Sequence, residues 1–157
     1  MTAQPTMSRV VFVLGLCGSG KSTRALKLAA RGFANFDEKA TGRSVHPDWP
    51  QSAYVDFLEA VAGGRDCVVT DICFFQRLLQ QRVSNDLACA RPDVAIEWEC
   101  FDPGDVELAN HNCENDPSRT PDGISGNLRQ NDLMLQALRD GVFQVPRQTH
   151  FLRTVRR

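Results

Sequence analysis

The apolar run Arg9-Val10-Val11-Phe12-Val13-Leu14 passes directly into Gly15-Leu16-Cys17-Gly18-Ser19-Gly20-Lys21-Ser22, and a helix-compatible segment, 21–30, follows. A buried strand, a glycine-rich turn and a helix in that order leave little freedom for the local fold. The turn fits the phosphate-binding spacing G-x-x-x-x-G-K-[ST]. Gly15, Gly18 and Gly20 can take backbone angles closed to other residues, so successive N–H groups can converge on one concavity. The positive end of the helix dipole adds to its attraction for an anion. The pattern predicts a nucleoside triphosphate site built from Gly15, Cys17, Gly18, Ser19, Gly20, Lys21, Ser22 and Thr23. Lys21 is expected to reach the β- and γ-phosphates, and the Ser22 hydroxyl to be a ligand of Mg2+.

Beyond this turn, apolar runs alternate with helix-like segments, as in a parallel sheet covered on both faces. Gly32 stops the first helix, and 33–36 reads as a short second strand ending at Asp37-Glu38. An irregular loop, 39–50, leads to a helix over 52–62 closed by Gly63-Gly64. Residues 67–71 form a buried strand ending in a carboxylate, 76–88 a helix, and 94–101 a fourth strand. A helix over 105–113 precedes the polar stretch 115–126, whose two prolines and two glycines predict a mobile loop. A helix over 127–139, capped by Asn127 and ended at Gly141, and a last strand around 149–155 complete the chain. The expected architecture is a three-layer α/β/α domain with a mostly parallel five-stranded sheet spanning 9–157, and a frayed, flexible end over 1–8.

The 157 residues suffice for one core, and 42% hydrophobic with 24% charged residues is ordinary for a globular chain. A formal net charge of −1 argues against a dominant electrostatic grip on nucleic acid, although a local basic groove stays open. The six cysteines form no CxxC pair and no zinc spacing with the three histidines. With no signal peptide and no bilayer-length apolar stretch, a cytoplasmic location in a reducing environment is expected.

The candidate chemistry follows from strand ends, because open α/β sheets bind ligands at their carboxyl edge. Asp71 ends a strand there and either holds Mg2+, directly or through water, or caps the next segment. Asp37 either orients an acceptor hydroxyl and takes its proton, with Glu38 as substitute, or is a solvated turn residue. Arg119 and Arg129 flank the polar stretch and could offset charge on a γ-phosphate. Arg77 and Arg82 could bind an acceptor phosphate or be solvated on a helix surface. Trp49 and Tyr54 could stack on a flat acceptor or pack the loop, and His111 with Cys113 makes a poor metal pair at that spacing.

No Asn-Lys-x-Asp base-reading motif is present, which argues against a Ras-type switch. With the 15–22 loop, Asp37 and Val68-Val69-Thr70-Asp71 assembled, the chain resembles small P-loop kinases. Within that group it resembles the kinase domain of polynucleotide-kinase-type proteins and their small ATP-binding relatives. The resemblance implies ATP and Mg2+ as cofactors, Lys21 and Ser22 in the ATP roles, Asp37 as base and Asp71 in the site. It also implies that the region 115–127 closes as a lid carrying Arg119 over the γ-phosphate. Where such kinases place an Arg-Asn-x-x-Arg-like stretch, this chain reads Asn110-His111-Asn112-Cys113-Glu114-Asn115-Asp116. The implied activity moves a γ-phosphoryl group to a nucleoside, nucleotide, nucleic acid end or small metabolite. The alternative is a nucleotide-binding NTPase or regulatory module that acts through a protein partner.

Overall fold

The strand Arg9–Leu14 (β1) is buried at every position after Arg9, with no polar alternation, as a central parallel strand must be. It belongs to a computed structural model that describes residues 7–157. The chain continues through α1 (Lys21–Ala29), β2 (Ala34–Phe36), α2 (Glu38–Thr41), α3 (Tyr54–Ala62) and β3 (Cys67–Val69). A single 3-10 turn, Ile72–Phe75, precedes α4 (Arg77–Ala90) and β4 (Ala95–Phe101). A second 3-10 turn, Pro103–Asp105, leads to α5 (Val106–Glu114), α6 (Pro121–Arg139) and β5 (His150–Leu152). The strands lie in the order β2-β3-β1-β4-β5, and every pairing is parallel. β1 therefore has neighbours on both sides. The chain leaves it toward β2 on one side and later crosses from β3 to β4 on the other. Connections diverging at the end of a strand open a crevice there, and here the crevice falls at the glycine-rich turn.

The two faces of β1 carry separate cores. Val11 and Val13 pack with Ala25 and Leu28 of α1, joined by Phe33, Val68 and Phe101. Val10, Phe12 and Leu14 face a larger cluster built from α3 and α4, which includes Ala109 of α5 and Met134 of α6. Phe12 is its hub: it stacks on Trp98 at 4.3 Å between ring centroids and meets Phe74 edge-on at 5.1 Å. Truncating such a buried ring to alanine costs about 3–5 kcal/mol, so the strand that carries the glycine-rich turn is firmly held.

The structure departs from the sequence expectations in three places. The polar stretch expected as a loop over 115–126 contains only a short connection, and α6 begins at Pro121 instead of Asn127. The Thr120 hydroxyl caps the helix by accepting from the Gly123 N–H at 3.1 Å, Pro121 occupies the first turn, and Asp122 complements the dipole. Gly123 and Gly126, read as loop signals, lie inside the helix, each at a cost of about 1 kcal/mol relative to alanine. Asp116 organises the remaining connection: its carboxylate accepts from the Ser118 N–H at 3.0 Å, the Ser118 hydroxyl at 2.6 Å and Arg119 Nε at 2.9 Å. At the other end, residues 1–6 of the expected frayed terminus lie outside the described residues. Ser8 belongs to the fold: it is buried, and its hydroxyl donates to the Arg65 carbonyl at 2.7 Å. The loop expected over 39–50 begins with the single turn of α2.

Candidate active site

The carbonyl oxygens of the loop after β1 are taken up by side chains. Lys21 Nζ donates to the Gly15 carbonyl at 2.7 Å and the Leu16 carbonyl at 3.0 Å. Asn131 Nδ2 donates to the Cys17 carbonyl at 3.0 Å, and Asn112 Nδ2 to the Gly18 carbonyl at 3.0 Å. All four carbonyls from Gly15 to Gly18 are thus engaged by side chains. The Gly18 and Gly20 N–H groups have no protein partner among the described residues, and the first N–H groups of α1 have none by helix geometry. The loop is a concavity of donors at the positive end of a helix. Gly18 holds φ +80° and passes so close to α5 that a Cβ would lie 2.2 Å from the Ala109 carbonyl oxygen. Gly20, at φ +114°, starts α1 in the left-handed region.

Burial lowers the Lys21 pKa below the ordinary lysine value; Cys17 and then Asp37 are the groups that most oppose this shift. Lys21 and Ser22 line a cavity of about 490 Å³ together with Gly18, Gly20 and Cys17. Gly15 and Ser19 do not line it; Ser19 and Thr23 line a second cavity of about 530 Å³, beside Arg24, Phe101, Leu152 and Val155. Ser19 Oγ is buried without a partner among the described residues.

The first cavity also receives the ends of β2 and β3. Asp37 is only 6% exposed, and its Oδ1 accepts from the Thr70 hydroxyl at 2.6 Å. Asp71, 8% exposed, is more heavily engaged. Its Oδ2 accepts from the Ser44 hydroxyl and, at 3.1 Å, from the Val45 N–H, while its Oδ1 accepts from the Cys73 N–H at 2.9 Å. Asp71 therefore caps the 3-10 turn and pins the 44–45 segment. Glu38 lines the same cavity, and its pKa is raised by partial burial first and then by Asp71 and Asp37. Among the described residues no cluster of His, Cys, Asp and Glu could hold a metal ion without other ligands.

Arg119 lies at the cavity edge, half-buried, paired with Asp116 at 2.9 Å and donating Nη1 to Cys113 Sγ at 3.5 Å. Arg129 is exposed and does not line the cavity, and neither Arg77 nor Arg82 does. Arg82 pairs with Asp48. Trp49 and Tyr54 have separate surroundings: Trp49 is exposed and stacks on His46 at 4.8 Å, whereas Tyr54 is buried and donates to Asp86 at 2.6 Å. Cys113 lies buried against Gly18, while His111 Nδ1 faces Asn115.

Three residues that the sequence reading did not single out for the site frame it. Arg157 lines both cavities and donates to the Thr23 hydroxyl at 2.9 Å. Asn112 and Asn131, both buried, reach the glycine-rich loop from α5 and α6. Polar residues inside two helices were the one available signal, and it names no partner.

The five-stranded parallel sheet and its loop define a small P-loop kinase-type fold. The chain is similar to a gluconokinase from Sinorhizobium meliloti 1021, at 15% identity and a TM-score of 0.52, covering 99% of this chain and 86% of the other. It is similar to Chaetomium thermophilum Kti12 in complex with ADP-AlF3, at 18% identity and a TM-score of 0.53, with 92% and 88% covered. Shikimate kinase from Bacteroides thetaiotaomicron shares 14% identity at a TM-score of 0.53, with 95% and 88% covered. No protein-family model matches the chain, and no curated protein is similar to it in sequence. Among the described residues no helix is long and apolar enough to cross a membrane.

Proposed function

We propose that this chain is an ATP-dependent phosphotransferase that passes a γ-phosphoryl group to a hydroxyl or phosphate acceptor held between Asp37 and Arg119. The observation that carries this reading is the engagement of the Gly15, Leu16, Cys17 and Gly18 carbonyls by side chains, which leaves the unpaired Gly18 and Gly20 N–H groups as donors beside Lys21. The residues present fit the expected cofactors. The unpaired Gly18 and Gly20 N–H groups suit phosphate oxygens, and hydroxyl and carboxylate oxygens are the donor set that suits Mg2+. Bound MgATP supplies the transferable phosphoryl group and the charge that neutralises its oxygens.

The chain's own residues then divide the work. Lys21 and the N–H groups of Gly18, Gly20, Lys21 and Ser22 hold the phosphates and stabilise charge at the β- and γ-positions. Ser22 is the direct protein ligand of the metal. Asp71, whose oxygens already accept three hydrogen bonds, would have one lone pair left for a metal or for a water bound to it. Asp37 orients the acceptor hydroxyl with Oδ2 and receives its proton, while Thr70 holds Oδ1. Arg119 faces the transferred group from the cavity edge. The second cavity, bounded by Thr23, Phe101, Leu152 and Val155, supplies the apolar surface that a nucleoside needs.

ATP consumption measured with and without a panel of polyols, nucleosides, nucleotides and 5′-hydroxyl oligonucleotides tests the reading. Acceptor-stimulated ADP release with a phosphorylated product is expected. Binding of ATP with slow hydrolysis that no acceptor accelerates would replace it with the NTPase or regulatory-module alternative.

A further inference from the structure

We infer that Asn131 of α6 is the positioning residue that aims the Gly18 N–H into the cradle, an inference that rests on reading this loop as the triphosphate site. Asn131 has no solvent exposure, and its amide is almost fully used. Oδ1 accepts from the Cys17 N–H at 2.7 Å, while Nδ2 donates to the Cys17 carbonyl at 3.0 Å and to Asn110 Oδ1 at 2.9 Å. The side chain therefore pairs with Cys17 as a neighbouring strand would, matching one backbone donor and one backbone acceptor. Aspartate lacks the donor, and leucine lacks both groups.

The consequence lies in the next peptide unit. The Cys17 carbonyl and the Gly18 N–H belong to one planar trans peptide and point in opposite directions. Holding that carbonyl on Asn131 therefore points the Gly18 N–H the other way, unpaired, on a residue that lines the cavity. Glycine at φ +80° would otherwise let this peptide turn over cheaply, presenting a carbonyl oxygen to the phosphates. Asn127 and Gln130, one turn and one residue before Asn131, line the same cavity, so the position of α6 and the shape of the loop are linked.

The test uses the full chain and MgADP. Asn131→Asp removes the donor to Cys17 and Asn131→Leu removes donor and acceptor together, and calorimetric affinity for MgADP is expected to fall roughly tenfold or more, the weight of one N–H bond to a charged oxygen. Amide exchange in 15–20 should accelerate in both variants. Met134→Ala on the same helix, which truncates a core side chain that makes no hydrogen bond to the loop, should lower stability yet keep MgADP affinity within about twofold. Variants at Asn131 that are folded and bind MgADP within twofold of wild type would overturn the inference. A wild-type chain that takes up no MgADP sinks the triphosphate reading itself, and unchanged exchange in 15–20 sinks the clamp independently of any nucleotide.

Discussion

Thr70 donates its hydroxyl to Asp37 Oδ1 at 2.6 Å, joining the ends of two parallel strands that are adjacent in the sheet. The pairing of Phe36 with Val69 sets the register, and the next residue on each strand supplies one partner. The bond fixes one carboxylate oxygen and leaves the other facing the cavity. Asp71, one residue further on, already accepts three hydrogen bonds from the 44–45 segment and the 3-10 turn.

These two carboxylates should separate under mutation. Asp37→Asn is expected to lower phosphotransfer by roughly 10²–10⁴-fold, the usual range for a general base, with ATP affinity nearly unchanged. Asp71→Asn should chiefly destabilise the fold, by about 1–3 kcal/mol through the weakened cap and loop anchor. Steady-state kinetics with thermal unfolding of both variants decides this; equal turnover losses with unchanged stability would defeat the division of roles.

Lys21→Ala should leave the fold intact and reduce turnover by roughly 10²–10³-fold, the size of losing one charge-stabilising donor. The native ammonium also predicts a pH signature. Its folded pKa is depressed by burial, so between the folded and unfolded values the unfolded chain binds more protons. Stability of the free chain should therefore rise with pH across that window, while nucleotide affinity falls as the ammonium discharges. Paired pH titrations of melting temperature and nucleotide binding, with Lys21→Ala as control, test both signs.

Gly18→Ala should be the most damaging single methyl in the loop. It combines a left-handed backbone angle with a contact 2.2 Å from the Ala109 carbonyl oxygen. The expected loss is about 3 kcal/mol, with nucleotide uptake abolished. Gly32→Ala provides the comparison: its φ is +98° but nothing lies within 4 Å, so strain alone should cost about 1–2 kcal/mol. Equal melting temperatures for the two variants would contradict the packing of the loop on α5.

Asp105 ties the carboxyl end of the chain to α5, accepting from Arg153 at 2.7 and 2.8 Å and from the Thr154 N–H at 3.1 Å. The Arg153 guanidinium, followed by the Thr154 N–H, holds its pKa down at about 2. A depressed carboxylate stabilises the native state above its unfolded value, near 4, and that contribution disappears as pH falls toward 2. Asp105→Asn should remove this acid-sensitive component, so the melting temperatures of the variant and the wild type should converge between pH 4 and pH 2. Curves that stay parallel over that interval would show that the pair contributes nothing.

Local patterns made much of the molecule legible from its residues alone. An apolar run, glycines at fixed offsets and a lysine announce the cradle, because strand, turn and helix start all form within 14 residues of one another. The parallel sheet follows from alternating apolar and helical segments, and the strand-end carboxylates follow from the sheet. The start of α6 was legible in principle at Thr120-Pro121, but two glycines outweighed the cap. Other features had no local signature. The clamps on the loop join residues 94 and 114 positions apart, and a buried asparagine inside a helix does not announce which peptide it will face. Nor could a strand-end aspartate reveal that its oxygens would be taken by Ser44, Val45 and Cys73. Backbone propensity and hydrophobic spacing act between near neighbours in the chain. The choice of partner for a buried polar group is settled when distant segments pack together and every donor must find an acceptor.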